Sequence, residues 1–308
     1  MIALNQRYSF QDICTSMQIL SECYSDFTIC RIVGTSQDDR TIPMLRMGFG
    51  TRNLICTAGI HGRESVNPVL MLRMMEDYAQ SFRFRQKIGG YDVSDLLHQF
   101  SICFLPVVNP DGYEIAIQGF DVISNPIYRR MARSRNISSE NWKYNARGVD
   151  INRNFPCKSY VQQQLYEYPG SESETQMLMR VFRDYETAAY LDFHSRGKII
   201  YYYRNAMPHT YNQKCRQLAK ELQHVCGYAL GRKEEELLSR VSGGNSVHFY
   251  SELTGNPAIT IETLPQDAPF PPGVNCQKDT YEEIKSIPLS LLSSLRLWSG
   301  QQRANQLQ

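Results

Sequence analysis

The chain of 308 residues has no C-x-x-C pair, no apolar run long enough to cross a bilayer, and almost no excess of charge. The first absence excludes a zinc ribbon and a thioredoxin-like redox pair. The second excludes a membrane-spanning helix, which needs about 20 apolar residues. The opening "MIALNQRYSFQDICTS" also lacks the basic segment and long apolar stretch of a secretory signal, so a reducing cytoplasm is the default expectation. Lys and Arg total 33 against 31 Asp and Glu, a net charge of +2. These charges are interspersed, so there is no electrostatic footprint for nucleic acid. No internal repeat or low-complexity linker marks a boundary, and a single catalytic domain over residues 1–308 is expected.

What is present fits a globular protein: 42% hydrophobic residues with 21% charged. Several of the nine cysteines sit inside apolar runs such as "LICTA" and "SICFLPVV", where a reduced thiol behaves as a small core hydrophobe. "SFQDICTSMQILSECYSDF" reads as an amphipathic helix capped by Ser9. "FTICRIVGTS", "RTIPMLRMGFG", "NLICTAG", "FSICFLPVV", "AAYLDFHS", "KIIYYY" and "NPAITIETL" read as strands. Helices are expected from about Glu64 to Phe82, over "SESETQMLMRVFRDY" and "YNQKCRQLAKELQHVC", and at the end, with an interruption at Pro288. Alternating strands and helices imply an α/β fold with a mixed, largely parallel central sheet flanked by helices. "NPDGY" reads as turn residues shaping a strand exit. The run Glu234, Glu235, Glu236 reads as a solvated face.

Candidate ligands stand out at strand exits, where open α/β sheets bind. His61 and Glu64 follow the strand "NLICTAG" at i, i+3, a spacing that sets both on one side of a first helical turn. Two histidines and a carboxylate, with one position left for water, form a familiar catalytic zinc set. A third ligand should be a distant histidine at another strand end, and His194 in "YLDFHSRG" has that setting. His98, His209, His224 and the helical pair His248 and Glu252 have blander surface readings. By itself an H-x-x-E pair is a weak signal.

Its company is specific. "GIHGRE", "PVVNPDGY", "RRMARSR", "GVDINRNFP", "LDFHSRG", "SGG" and "AITIE" follow one another in an order that resembles the zinc metallocarboxypeptidases, from about Tyr8 to the C-terminal helix. "NWKYNARGVDINRNFP" most resembles the bacterial γ-D-glutamyl-meso-diaminopimelate endopeptidases, which cut cell-wall peptides. The resemblance implies one Zn2+ per chain held by His61, Glu64 and His194. Glu262 then matches the general base, a carboxylate that takes a proton from water and delivers it to the leaving amine. Asp150 matches the acid that orients the first zinc histidine. Asn152 and Arg153 match the pair that anchors a substrate carboxylate, a task suited to the bidentate guanidinium. Arg130 matches the arginine that polarises the scissile carbonyl, and Arg63 a secondary substrate-binding arginine. Arg196 is either a subsite residue or a loop charge.

One departure concerns specificity. Peptide-digesting relatives carry a tyrosine three residues before "SGG", where this chain has Ser239. The expected substrate is therefore a peptide or muropeptide, with hydrolysis of the γ-D-glutamyl-diaminopimelate bond as the leading expectation. Release of C-terminal residues from ordinary peptides and an aspartoacylase-type acylase activity are the alternatives. A catalytically silent binding module is a further one, against which all four chemistry-bearing positions are retained. The pattern begins within the first ten residues, so no wall-binding module is expected before it. Internalised muropeptides, or the wall reached by another route, are the expected sites of action.

Overall fold

The computed structural model describes residues 2–163, 165–238 and 243–306. Its strands are β1 (Thr28–Thr35), β2 (Thr41–Gly48), β3 (Arg52–Ala58), β4 (Lys87–Ile88), β5 (Tyr91–Asp92), β6 (Phe100–Leu105), β7 (Thr187–Ser195), β8 (Ile199–Tyr201), β9 (Ala229–Leu230) and β10 (Ala258–Thr263). The helices are α1 (Phe10–Cys23), α2 (Val66–Arg83), α3 (Val93–Gln99), α4 (Pro110–Gln118), α5 (Pro126–Arg133) and α6 (Ser173–Asp184). They continue with α7 (His209–Cys226), α8 (Lys233–Leu238), α9 (Ser246–Thr254), α10 (Gln277–Ile284) and α11 (Ile287–Gln306). Eight strands form one sheet in the order β1-β2-β6-β3-β7-β10-β8-β9, and β4 pairs with β5 in a separate hairpin.

The centre of the sheet, β6-β3-β7-β10, is parallel, while β1, β2 and β8 run antiparallel to their inner neighbours. The expected mixed, largely parallel sheet flanked by helices is what forms. Parallel strands are covered on both faces, which is why they read as continuous apolar runs. Alternate residues serve different cores. Leu54, Cys56, Ile102, Phe104, Leu191, Phe193, Ile259 and Ile261 pack with α1, α2, α3 and α11. Ile55, Cys103, Leu105 and Tyr190 pack with α6 and α9 on the other side.

On that second face the apolar pattern fails at the carboxyl ends of the central strands. Thr57, Asp192, His194, Thr260 and Glu262 occupy positions that period-2 alternation would otherwise give to the core. The chain passes from β3 to β6 on one side and later returns to place β7 on the other. The order therefore reverses at β3/β7, the place where open α/β sheets form a crevice.

Three local expectations change. "NPDGY" opens helix α4: Asn109 caps it by accepting from Gly112 N–H, and Pro110 stands in its first turn. Turn formers and cap residues are the same chemistry, so the sequence pattern alone does not separate them. His209 begins α7 instead of lying in a loop. The C-terminal break falls between α10 and α11 at Lys285 and Ser286, with Pro288 inside the first turn of α11, where its missing N–H costs nothing. All nine cysteines are free. Among the described residues no helix is long and apolar enough to cross a membrane.

Candidate metal centre and active site

His61 and Glu64 lie in the short segment between β3 and α2, and His194 is the penultimate residue of β7. One ligand atom from each falls within 4.8 Å of the others. His61 Nδ1 is 2.7 Å from Glu64 Oε1, and His194 Nδ1 is 3.1 Å from Glu64 Oε2. Both histidines thus turn Nδ1 toward the shared carboxylate. Their Nε2 atoms face acids: His61 toward Asp150 Oδ1 at 3.2 Å, His194 toward Asp192 Oδ2 at 3.0 Å. An acid on Nε2–H leaves the Nδ1 lone pair for a metal and fixes the ring. Two imidazole nitrogens and one carboxylate converging on one point suit Zn2+, whose ligand bonds are about 2.0–2.2 Å long.

The supports are built in. Asp150 accepts from Lys143 Nζ at 2.6 Å and from Asn152 N–H at 3.1 Å. Asp192 accepts from Ser246 Oγ and Thr57 Oγ1, each at 2.7 Å. Ser195 N–H donates to Glu64 Oε2 at 2.9 Å. Gly62 explains the gap between the two ligands, because a Cβ there would meet the backbone of Gly112 at 2.1 Å. The "NPDG" segment is thus the floor under the ligand loop.

Charge is balanced within the cluster. Burial alone would raise the Glu64 carboxyl, but His61 and His194 outweigh it and hold it well below its ordinary range. Burial works against protonation of His194, yet Asp192 and Glu64 raise it well above the usual imidazole value. His61 is raised likewise, with Glu64 and Asp150 prevailing over burial. Glu262 differs: burial pushes it up to about 7, the Glu64 charge adds to this, and the two histidines oppose it. Its backbone is paired in register with His194.

These residues open into a cleft of about 270 Å³ lined by His61, Asn152, Arg153, His194, Glu262 and several residues from β8, α8 and α9. Asn152 and Arg153 reach it from a 3-10 turn, Ile151–Arg153, that follows Asp150. Of the sequence candidates, the structure brings together His61, Glu64, His194, Asp150, Asn152, Arg153 and Glu262. Arg130 is exposed on α5 and does not line this cleft. Arg63 lies over the Phe270 ring at 4.5 Å, and Arg196 over the same ring at 4.8 Å. Ser239 lies outside the described residues.

Four residues that the sequence did not single out belong to the site. Asp192 shares a strand face with His194, and an acid inside "AAYLDFHS" was the available signal. His248 lines the cleft and bonds Ser159 Oγ through Nδ1 at 2.7 Å. Glu252, its supposed surface partner, accepts instead from Lys158 N–H. Glu235 also lines the cleft, so the acidic run is not wholly a solvated face. Tyr201 does so too, although the tyrosine run read as strand packing.

The family model described as zinc carboxypeptidase matches residues 13–284. The chain belongs to that family, and so is a zinc-dependent metallopeptidase. The Gamma-D-glutamyl-L-diamino acid endopeptidase 1 of Lysinibacillus sphaericus is 24% identical over 281 residues, covering 86% of this chain and 68% of the relative. An inactive metallocarboxypeptidase of Arthroderma benhamiae is 25% identical over 233 residues, covering 68% of this chain and 35% of the relative. The fold matches bovine thrombin-activatable fibrinolysis inhibitor with a TM-score of 0.76 at 19% identity, over 95% of this chain and 98% of that one. It also matches the murein-tripeptide amidase of Escherichia coli, with a TM-score of 0.53 at 18% identity over 85% and 91% of the two chains.

Proposed function

We propose that the chain hydrolyses the γ-D-glutamyl bond to diaminopimelate in peptidoglycan stem peptides. The observation that carries the substrate reading is the likeness, across 86% of the chain, to an endopeptidase that acts on γ-D-glutamyl-L-diamino acid bonds. The chemistry belongs to the cleft. Zinc, when bound, supplies a Lewis acid for the scissile carbonyl and for water. Glu262 takes a proton from that water and returns it to the leaving nitrogen, a role suited to a carboxylate held near neutrality by burial. Asp150 and Asp192 hold the two imidazoles in the tautomer that binds metal. Arg153 and Asn152 anchor the α-carboxylate of the leaving residue, the guanidinium through paired hydrogen bonds. Arg63, which lies over Phe270, is assigned to the acyl side of the substrate.

The test compares kcat/KM on a γ-D-glutamyl-diaminopimelate peptide and on an ordinary peptide with a free C-terminus. At least tenfold faster hydrolysis of the γ-D-glutamyl substrate is expected. Faster hydrolysis of the ordinary peptide would replace this reading with that of a carboxypeptidase.

A further inference from the structure

The metal ligands and Glu262 account for only part of the cleft. Arg204, just beyond β8, also lines it although the residue is only 2% exposed. The residue is locked in place: its backbone N–H donates to Asn212 Oδ1 at 2.7 Å, Nη1 to Tyr203 O at 2.6 Å and Nη2 to Ala258 O at 3.0 Å. Its Nε–H has no partner, and among the described residues no carboxylate pairs with the guanidinium. Two carbonyl dipoles do not neutralise a full charge, and a buried cation without a counter-ion is unfavourable. An anionic substrate group would relieve that.

Its position is informative. Ala258, Thr260 and Glu262 share one face of β10, and the latter two line the cleft. Four residues of strand set Ala258 roughly 13 Å from Glu262, so Arg204 marks the end remote from the reacting atoms. Glu235 supplies the opposite charge in the lining of the same cleft. It stands beside Tyr201 in that lining and pairs with Arg232, whose side chain is 77% exposed. A pair so open to solvent is weak and easily exchanged.

We propose that Arg204 and Glu235 read the distal end of the leaving residue, Arg204 its carboxylate and Glu235 its ammonium. The pocket then selects a side chain that itself ends in an amino-acid group. This rests on the peptidoglycan reading and adds to it the residues that recognise the diamino acid. From the cleaved nitrogen to the distal carboxyl of diaminopimelate is roughly 7–8 Å in an extended chain. The rest of the span is taken up by the contacts at its two ends, Glu262 with the leaving nitrogen and the Arg204 Nε–H with the carboxylate, each about 3 Å. Lysine would satisfy Glu235 alone, and 2-aminopimelate Arg204 alone.

The experiment uses three leaving residues, diaminopimelate, lysine and 2-aminopimelate, each joined to a γ-D-glutamyl and to a hippuryl acyl group. The zinc-loaded wild type should favour diaminopimelate over lysine by ten- to a hundredfold in kcat/KM, the worth of one or two charge-assisted hydrogen bonds. Arg204→Lys and Arg204→Gln should each reduce that ratio at least tenfold. Glu235→Gln should reduce the preference for diaminopimelate over 2-aminopimelate. Zinc content and melting temperature identify any variant that has lost its fold, and Arg204→Lys keeps the charge in case Arg204→Gln does. A wild type without the preference, or a folded Arg204 variant that keeps the ratio, overturns the proposal. The acyl comparison is separate: faster cleavage of hippuryl than of γ-D-glutamyl substrates overturns the peptidoglycan reading and leaves the ranking of leaving residues standing.

Discussion

At Glu262, burial and charge act in opposite directions. Burial alone favours the neutral acid, and the two histidines pull toward the carboxylate. A bound dication acts in the same direction as the histidines, so the loaded site holds an ionised base beside a proton donor. Glu262→Gln keeps the shape and removes the proton transfer. We expect zinc content near one per chain and substrate binding retained, with kcat lower by ~10²–10⁴-fold. Metal analysis with steady-state kinetics checks this, and near-normal kcat would make Glu262 structural. At this scale the sequence was informative where a residue type is scarce. Six histidines leave few ways to complete a ligand set, and an acid ending an apolar strand needs a task. It was uninformative where a residue type is common. "RRMARSR" holds four arginines that spacing cannot tell apart: Arg133 reaches Asp121, and Arg135 stacks on Tyr144 at 4.9 Å. Glu235 and Arg204 were equally hidden, because a buried charge and a solvated one look alike in sequence.

The elements explain how distant motifs meet. The second glycine of "SGG", Gly244, has φ of +77° and accepts from Phe155 N–H at 2.9 Å. A Cβ there would lie 2.4 Å from Arg153 O. The motif is therefore a clamp on the segment that carries Asn152 and Arg153. That contact joins residues far apart in the chain, so the sequence displays the glycine without its reason. Strand identity was legible, because buried parallel strands leave continuous apolar runs. The helix start at Asn109 was not, since caps and turns share residues. Gly244→Ala should cost about 2 kcal/mol through backbone strain and the clash, and should raise KM by moving Arg153. Gly255→Ala is the control, with φ of +68° and nothing within 4 Å of the added carbon. Denaturant unfolding and KM for both variants test this, and equal effects would show that Gly244 clamps nothing.

Across the whole molecule, one sheet links the two cores and the metal centre sits where its central strands end. Zinc binding should therefore stabilise the folded chain as a whole, with the nine free cysteines contributing no cross-links. Metal at a thousandfold excess over Kd is worth about 4 kcal/mol, roughly 5 °C in melting temperature for a chain of this size. The sign with pH follows from the ligands. Without metal, the pairing of protonated His61 and His194 with their acids stabilises the fold fully below the ordinary imidazole value of about 6.5. That contribution is lost as pH rises through the raised values. Zinc must displace the same protons, so its affinity falls as pH drops and grows through neutrality and above. The melting temperature of chelated protein should decline with rising pH above about 6.5, while the increment on adding zinc increases. Calorimetric melts at several pH values, with and without zinc and with a thiol reductant as a further arm, measure both. A zinc increment that shrinks with rising pH would mean that these histidines do not carry the metal.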